Sequence, residues 1–121
     1  KTMKDINMCI AAICGFPKAH NSLAPREAFR LTKYEKHFST ITHELIVACL
    51  ENNPNLIDHW ISYSENKRYA PAWAFYTRDG LWEIVRIDEA GKRRTSVLFS
   101  DRTQACSMFV RLEMEALRHS K

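Results

Sequence analysis

The side chains best suited to chemistry in this sequence are histidines that stand next to carboxylates or hydroxyl groups. His43-Glu44 begins like the zinc-protease pattern H-E-x-x-H, in which two histidines one helical turn apart bind the metal. The second histidine would have to occupy position 47, where the chain has Val47. The pattern is therefore incomplete, and we predict that His43 lies on a helix surface.

The sequence around Asp58-His59 contains the residue types of a hydrolase triad, with Ser62 and Ser64 as candidate nucleophiles. A nucleophilic serine usually stands on a strained turn flanked by glycines, and neither serine has a glycine nearby. The remaining histidines are far from one another in sequence, so a metal site is not indicated either. We predict that the protein has no catalytic residue, binds no metal and is not an enzyme.

The glycines and cysteines argue against two further kinds of site. Glycine occurs only at positions 15, 80 and 91, so no loop can wrap a nucleotide phosphate with its backbone, and we predict no cofactor. The four cysteines, at positions 9, 14, 49 and 106, form no C-x-x-C pair of the kind that presents two donors to one zinc ion. We predict that they are buried, reduced thiols.

The composition is that of an ordinary globular domain. The chain has 121 residues, 45% of them hydrophobic, and we predict a single α+β domain that spans 1–121. Lys and Arg number 18 against 14 acids, and this net charge of +4 permits nucleic acid or an acidic protein surface as partner. We recognise no apolar run long enough to span a bilayer and no leader, so we expect a cytoplasmic protein without membrane contact.

The clearest structural signal lies in the last fifty residues. Two runs of aromatic and β-branched residues, 72–78 and 81–87, flank Asp79-Gly80, which predicts a β-hairpin. A second turn leads to a third strand over 94–99. Side chains alternate across a strand, and both faces of this sheet hold apolar groups. We therefore expect helices to cover one face, and the other face to be partly covered or to bind something.

The N-terminal half reads as helices. Helical spacing of apolar residues predicts a short helix over 5–14, a polar connection over 17–24, and one long helix over 25–52. Weak helix formers at 39–42 offer the alternative that the long helix divides in two. A further helix runs from Pro54 to about residue 64.

The final helix completes the predicted fold. Asp101 is a good N-cap for it, and Gln104 is placed to close a capping box. We predict an α+β fold, in which N-terminal helices pack on a three-stranded antiparallel β-sheet (a meander) and the C-terminal helix closes the core. Because large aromatics dominate core burial, we assign four of them to the core: Trp73, Phe75, Trp82 and Phe109.

Basic residues gather at the turn 91–94 and along the sheet. A regular hairpin register would bring Arg78, Arg86 and Arg94 near one another. These charges suit a binding face, and they equally suit a solvated sheet edge, where Lys and Arg deter edge-to-edge aggregation. The residues that we expect to contact a partner are Lys67, Arg68, Tyr76, Arg78, Arg86 and Arg93.

One alternative function follows from the order helix–strand–strand–strand–helix, which is also that of double-stranded RNA-binding domains. The chain would then be a small basic nucleic-acid-binding module with αβββα topology. Such domains carry a lysine-rich N-terminus on their last helix, which contacts phosphates. Here that position reads Asp101-Arg102-Thr103-Gln104, with an acid where phosphate would lie. The sequence therefore disfavours RNA without eliminating it.

A pattern over roughly residues 57–117 resembles that of a known family. The pattern is an aromatic hairpin whose second strand reads "G-x-W-x-V", then a Phe-Asp turn into a helix that bears an Ala-Cys pair. The residues that carry it are the run 63–68, Trp73-x-Phe75-Tyr76, Gly80-x-Trp82-Glu83-Ile84, Phe99-x-Asp101 and Ala105-Cys106-x-x-Phe109. The pattern is similar to that of small bacterial immunity proteins from polymorphic-toxin and contact-dependent growth-inhibition systems, with Ile84 at the usual valine.

The resemblance implies a cytoplasmic protein that binds the toxin domain of its own system and blocks its active site or its access to substrate. Inhibition would be stoichiometric, by protein–protein interaction without turnover, metal or cofactor. Immunity proteins against nucleases are frequently acidic because they imitate phosphates, whereas this chain is basic. We therefore expect an acidic or mixed toxin surface as partner, bound through a few aromatic and arginine anchors.

Overall fold

The computed structural model describes residues 2–66 and 71–120, and it confirms the predicted α+β class. N-terminal helices precede a three-stranded antiparallel sheet in the order β1-β2-β3, and a long C-terminal helix follows. The elements of this part of the chain are α1 (Met3–Cys14), α2 (Phe16–His20), α3 (Pro25–Thr32), α4 (Tyr34–His37), α5 (His43–Asn52), α6 (Asn55–Glu65), β1 (Ala72–Arg78), β2 (Leu81–Ile87), β3 (Arg93–Phe99) and α7 (Arg102–His119).

The two turns of the sheet follow from local chemistry. Asp79 (φ 52°) and Gly80 (φ 81°) both adopt left-handed backbone, as a two-residue type I′ hairpin turn requires. In the second turn, Asp88 Oδ1 accepts hydrogen bonds at 2.9 Å from the backbone N–H groups of Ala90 and Lys92. The predicted hairpin and third strand are thus confirmed, and the third strand begins one residue earlier than expected.

The register of the sheet decides which side chains meet the helices. Phe75 lies opposite Ile84, which lies opposite Val97. The Phe75 ring stacks on Phe109 of α7 with centroids 5.3 Å apart, so this face of the sheet packs against the helices. Side chains one residue away along each strand therefore point to the opposite face.

The core is built around aromatic rings that join α2, α6, α7 and β1. Trp60 is fully buried and packs against Phe16 and Phe109. Its indole Nε1 donates to the carbonyl oxygen of Cys14 at 2.8 Å, which fixes α6 against the end of α1. Of the four aromatics assigned to the core from sequence, Phe75 and Phe109 are fully buried, whereas the two sheet tryptophans are partly buried and pack against the core.

The predicted single helix over 25–52 is wrong, because the chain forms three shorter helices there. Lys33 adopts left-handed backbone (φ 66°) between α3 and α4. The buried Thr32 hydroxyl stabilises this break, since it donates to a carbonyl of α3 at 2.7 Å and accepts from the Tyr34 N–H at 3.1 Å. A second break precedes α5, whose N-cap is Thr42, so the weak helix formers do interrupt the helix.

Two smaller expectations are also wrong. The predicted connection over 17–24 contains the short helix α2, and Pro17 stands in the first turn of that helix, where a missing N–H costs nothing. Asp101 caps α7 as predicted, by accepting from two backbone N–H groups of the first turn. Gln104, however, does not close a capping box, because its side chain is hydrogen-bonded to His43.

Candidate protein-binding surface

The sheet face that points away from the helices carries a cluster of charged and hydroxyl side chains. We call it the arginine face. It surrounds an open depression of about 630 Å³. The residues that line this depression come from all three strands and are Tyr76, Thr77, Arg78, Glu83, Val85, Arg93, Arg94, Thr95 and Ser96.

Glu83 lies at the centre of the arginine face and is only 1% exposed. Its Oε1 accepts from Arg93 Nη2 at 2.8 Å, and its Oε2 lies 3.5 Å from Arg78 Nη1. Arg93 also donates to the hydroxyl oxygen of Tyr76. One buried carboxylate therefore holds two guanidinium groups, whose own side chains remain about half exposed.

The Arg93 side chain covers the middle of the sheet. Arg93 lies opposite Ile87 in the register, whereas its guanidinium reaches Glu83, four residues earlier on the same face of β2. The side chain therefore passes over Val85, which is fully buried although it lies on the face away from the helices. The arginine stem thus supplies apolar cover for this part of the sheet, and its charged end remains at the surface.

The electrostatics of the face keep Glu83 ionised. Burial raises the pKa of its carboxyl, but hydrogen bonds from Arg93 and Tyr76, together with the charges of Arg93 and Arg78, outweigh burial, so the pKa lies below its usual value. Nearby, Arg94 Nε donates to Asp88 Oδ2 at 2.6 Å. The face itself has three guanidinium groups against one carboxylate, and the neighbouring Asp88 reduces this excess to one net positive charge.

β3 forms the outer border of the arginine face and is exposed along most of its length. On this strand, Leu98 lies opposite Glu83 on the arginine face and is 49% exposed, whereas Val97, which is 39% exposed, lies opposite Ile84 on the helix-packed face. Apolar side chains beside fixed charges are a composition that protein-binding surfaces share. The face therefore offers charge, hydroxyl groups and apolar contact within one strand length.

The structure brings together three of the six side chains predicted to contact a partner, namely Tyr76, Arg78 and Arg93. Arg86 is not among them. It lies on the helix-packed face, with its guanidinium over the ring of Trp73 at 5.5 Å from the centroid. The remaining two, Lys67 and Arg68, lie outside the described residues.

The expectation that Arg78, Arg86 and Arg94 lie near one another is therefore wrong. Arg78 pairs with Leu81 and Arg86 pairs with Trp73, and these positions fall on opposite sides of the pleat. Sequence reasoning also missed Glu83 as the organising residue. A signal was present, because a charged residue between apolar neighbours on the central strand of a sheet needs a partner when it is buried.

The histidine that begins the incomplete zinc pattern is half buried, so its predicted surface position is wrong. His43 Nε2 lies 2.7 Å from Gln104 Oε1, and Ser107 Oγ lies 2.9 Å from His43 Nδ1. These contacts fit a ring that donates from Nε2 and accepts at Nδ1. Ser107 is fully buried, so the network holds α5 against α7.

The candidate hydrolase residues on α6 do not converge. Asp58 pairs with Arg102 at the start of α7, and the Ser64 hydroxyl accepts from the backbone N–H of Phe75 at 2.8 Å. His59 is exposed. Within residues 2–66 and 71–120, no group of three or more His, Cys, Asp or Glu side chains is arranged to hold a metal ion.

The cysteines of the described chain are all free thiols, three of them buried and Cys49 partly exposed. None of the helices in the described ranges is both long enough and apolar enough to cross a membrane. No protein family model, no curated protein and no solved structure matches this chain.

Proposed function

We propose that this protein is an immunity protein of a bacterial polymorphic-toxin or contact-dependent growth-inhibition system. It acts in the cytoplasm by binding the toxin domain of its own system in a stoichiometric complex. The observation that carries this proposal is the arginine face, where Glu83 holds Arg78 and Arg93 beside the exposed strand β3. The resemblance of the aromatic hairpin and of the turn into the last helix to immunity proteins supports the same function.

The geometry of the face supports binding because its charged groups are held in place before a partner arrives. A free arginine loses side-chain entropy when it binds, whereas Arg78 and Arg93 are already oriented by Glu83. The planar guanidinium suits carboxylates on the partner, with which it forms paired hydrogen bonds. The partner surface that fits is therefore acidic or mixed in charge.

The nucleic-acid alternative receives less support from the structure. At the start of α7, Asp101 caps the helix with its carboxylate. The next side chain, Arg102, is engaged by Asp58 and lies over the ring of Trp82 at 6.0 Å from the centroid. The helix end that would contact RNA phosphates in a double-stranded RNA-binding domain is thus occupied by an acid and by an ion-paired arginine.

The first experiment is co-expression of this chain with the toxin domain encoded next to it. We expect growth to be restored and a one-to-one complex to be recovered by analytical ultracentrifugation. Toxicity that persists together with the absence of a complex would refute the proposal. Retention on duplex RNA at low salt, lost as salt is raised, would favour the alternative instead.

The second experiment tests the assigned surface. Arg78→Glu should slow association with the toxin domain about tenfold at low salt, because charge complementarity acts mainly on the association rate. Arg30→Glu is the matched control, since Arg30 is an exposed, ion-paired arginine on α3. Equal association rates for the two variants would remove the arginine face from the interface.

A further inference from the structure

One edge of the sheet is engaged by a helix of the chain itself. The backbone N–H of Phe75 points away from β2 and donates to Ser64 Oγ on α6 at 2.8 Å. β1 therefore has a helix against its outer edge, and this contact uses a backbone donor that an added strand would need.

The same hydrogen bond fixes the direction of the backbone groups in β3. Within a strand, the N–H and C=O of one residue point to the same side, and neighbouring residues alternate. The backbone groups of Phe75 point outward, so those of its register partner Ile84 point towards β3. The backbone groups of Val97, which lies opposite Ile84, point back towards β2. Ser96 and Leu98 therefore direct their backbone groups to the free edge.

The free edge of β3 is a row of exposed hydrogen-bonding groups. Among residues 2–66 and 71–120, Ser96 and Leu98 take part in none of the backbone hydrogen bonds of turns, loops and caps. Both residues are exposed. Such an edge is the structural requirement for strand addition, in which an extended segment of another molecule continues the sheet.

The charge beside this edge indicates which segment fits. Arg93 and Arg94 stand at the first two positions of β3, with side chains 52% and 60% exposed. A segment that pairs with β3 would place its own side chains next to these two arginines. Acidic side chains there would gain from both charges, whereas a second copy of this chain would bring a further net charge of +4.

We propose that the partner adds an extended, acidic segment to the sheet as a fourth strand along β3. The inference rests on the proposed function, since the partner is the toxin domain. It goes further by assigning the backbone of Ser96 and Leu98, and not only the arginine side chains, to the interface.

The test is a matched pair of substitutions at position 98. Leu98→Pro removes the outward N–H, a change that an edge strand tolerates because this group has no backbone partner within residues 2–66 and 71–120. Leu98→Thr removes the same apolar side chain and keeps the N–H. The dissociation constant for the purified toxin domain should be about tenfold or more higher for Leu98→Pro than for Leu98→Thr, because only the proline variant loses a strand-pairing hydrogen bond.

The outcomes separate this inference from the proposed function. Equal affinities for the two variants, with tight binding by the unaltered chain, would refute strand addition and leave the immunity function intact. Failure of the unaltered chain to bind the toxin domain would refute both.

A second measurement keeps the inference testable if Leu98→Pro does not fold. In the unaltered protein, amide hydrogen exchange at Ser96 and Leu98 should slow at least about tenfold on binding the toxin domain. The Val97 amide, already bonded to β2, should be protected with and without the partner. Unchanged exchange at the two outward amides would refute the inference. If exchange at these amides slowed as the concentration of this chain alone was raised, the added strand would come from a second copy. That result would refute the proposal that an acidic segment of the partner occupies the edge.

Discussion

The hairpin turn at Asp79-Gly80 sets the register that places Arg78 beside Glu83, so the energetics of this turn can be tested directly. Gly80 has φ +81°, and a Cβ built on it meets no atom within 4 Å. Gly80→Ala therefore introduces backbone strain without a steric clash. Gly15 provides the control, because its φ of −95° suits any residue and its Cβ would stand 3.4 Å from the carbonyl oxygen of Ala11, an ordinary contact.

The expected magnitudes follow from two opposing terms. Left-handed backbone costs an alanine about 1–2 kcal/mol, while the loss of glycine's freedom in the unfolded chain returns about 0.4–1 kcal/mol. Gly80→Ala should therefore lower the free energy of unfolding by about 1 kcal/mol. Gly15→Ala gains the second term only and should raise the free energy of unfolding by about 0.5 kcal/mol.

The assay is urea unfolding followed by circular dichroism and tryptophan fluorescence, with the slope of each transition used to check that the variants unfold alike. Gly91→Ala should behave like Gly80→Ala, because Gly91 has φ +82° and equally open surroundings. The reasoning would be refuted if Gly80→Ala were as stable as Gly15→Ala, since the hairpin turn would then owe nothing to its left-handed glycine.

Three further predictions concern single side chains. As the pH is lowered below about 4.3, the unfolded-state pKa of glutamate, the free energy of unfolding should fall less in Glu83→Gln than in the unaltered chain. The lowered folded-state pKa makes the carboxylate stabilising above that pH, and this contribution is lost as the pH falls through the folded-state value, which urea titrations across pH measure. In a thiol titration at neutral pH, Cys49 should react first, because a hydrogen bond with Cys14 lowers its pKa and its side chain is partly exposed. Ser107→Ala should lower the free energy of unfolding by about 1–3 kcal/mol, because it leaves His43 Nδ1 without this partner.

Each of these predictions has a control on the same chain. Glu51→Gln changes an exposed glutamate, and equal pH profiles for it and Glu83→Gln would contradict the electrostatic account. Cys49→Ser should remove the fast thiol phase, whereas Cys106→Ser should leave it, and a fast phase that survives Cys49→Ser would contradict the assignment. Ser62→Ala changes an exposed serine, and a loss of stability equal to that of Ser107→Ala would argue against the buried network.

The parts of the fold that follow from neighbouring residues could be predicted from the sequence. Asp79-Gly80 specifies its turn type by itself, and a two-residue turn fixes the pairing of the strands beside it. The break between α3 and α4 was not predictable in this way. The apolar spacing continues across Lys33, and the left-handed residue is stabilised by the Thr32 hydroxyl, which periodicity does not detect.

The candidate site was predictable only in part, because its parts are distant in sequence. The strand pattern and the two-residue turn together determine the pairing of β1 with β2. This pairing already places Arg86 and Arg78 on opposite faces of the sheet. The burial of Glu83 could not be predicted from the strand pattern, since it depends on Arg93 reaching across the sheet from the start of β3. The position of the Arg93 side chain thus determines both the charge of the surface and its apolar cover.

The hydrogen bond from Phe75 to Ser64 has a consequence for assembly. Open-ended filaments of sheet proteins grow when every subunit offers two free edges, so that each addition exposes the next one. Here α6 lies against one border and only the border of β3 remains open, so pairing between copies would stop at two molecules. Ser64→Ala, which removes the hydroxyl and is compatible with α6, would free the backbone N–H of Phe75 at the second border. Linear aggregation of the purified variant would then be the sign that this protection is lost.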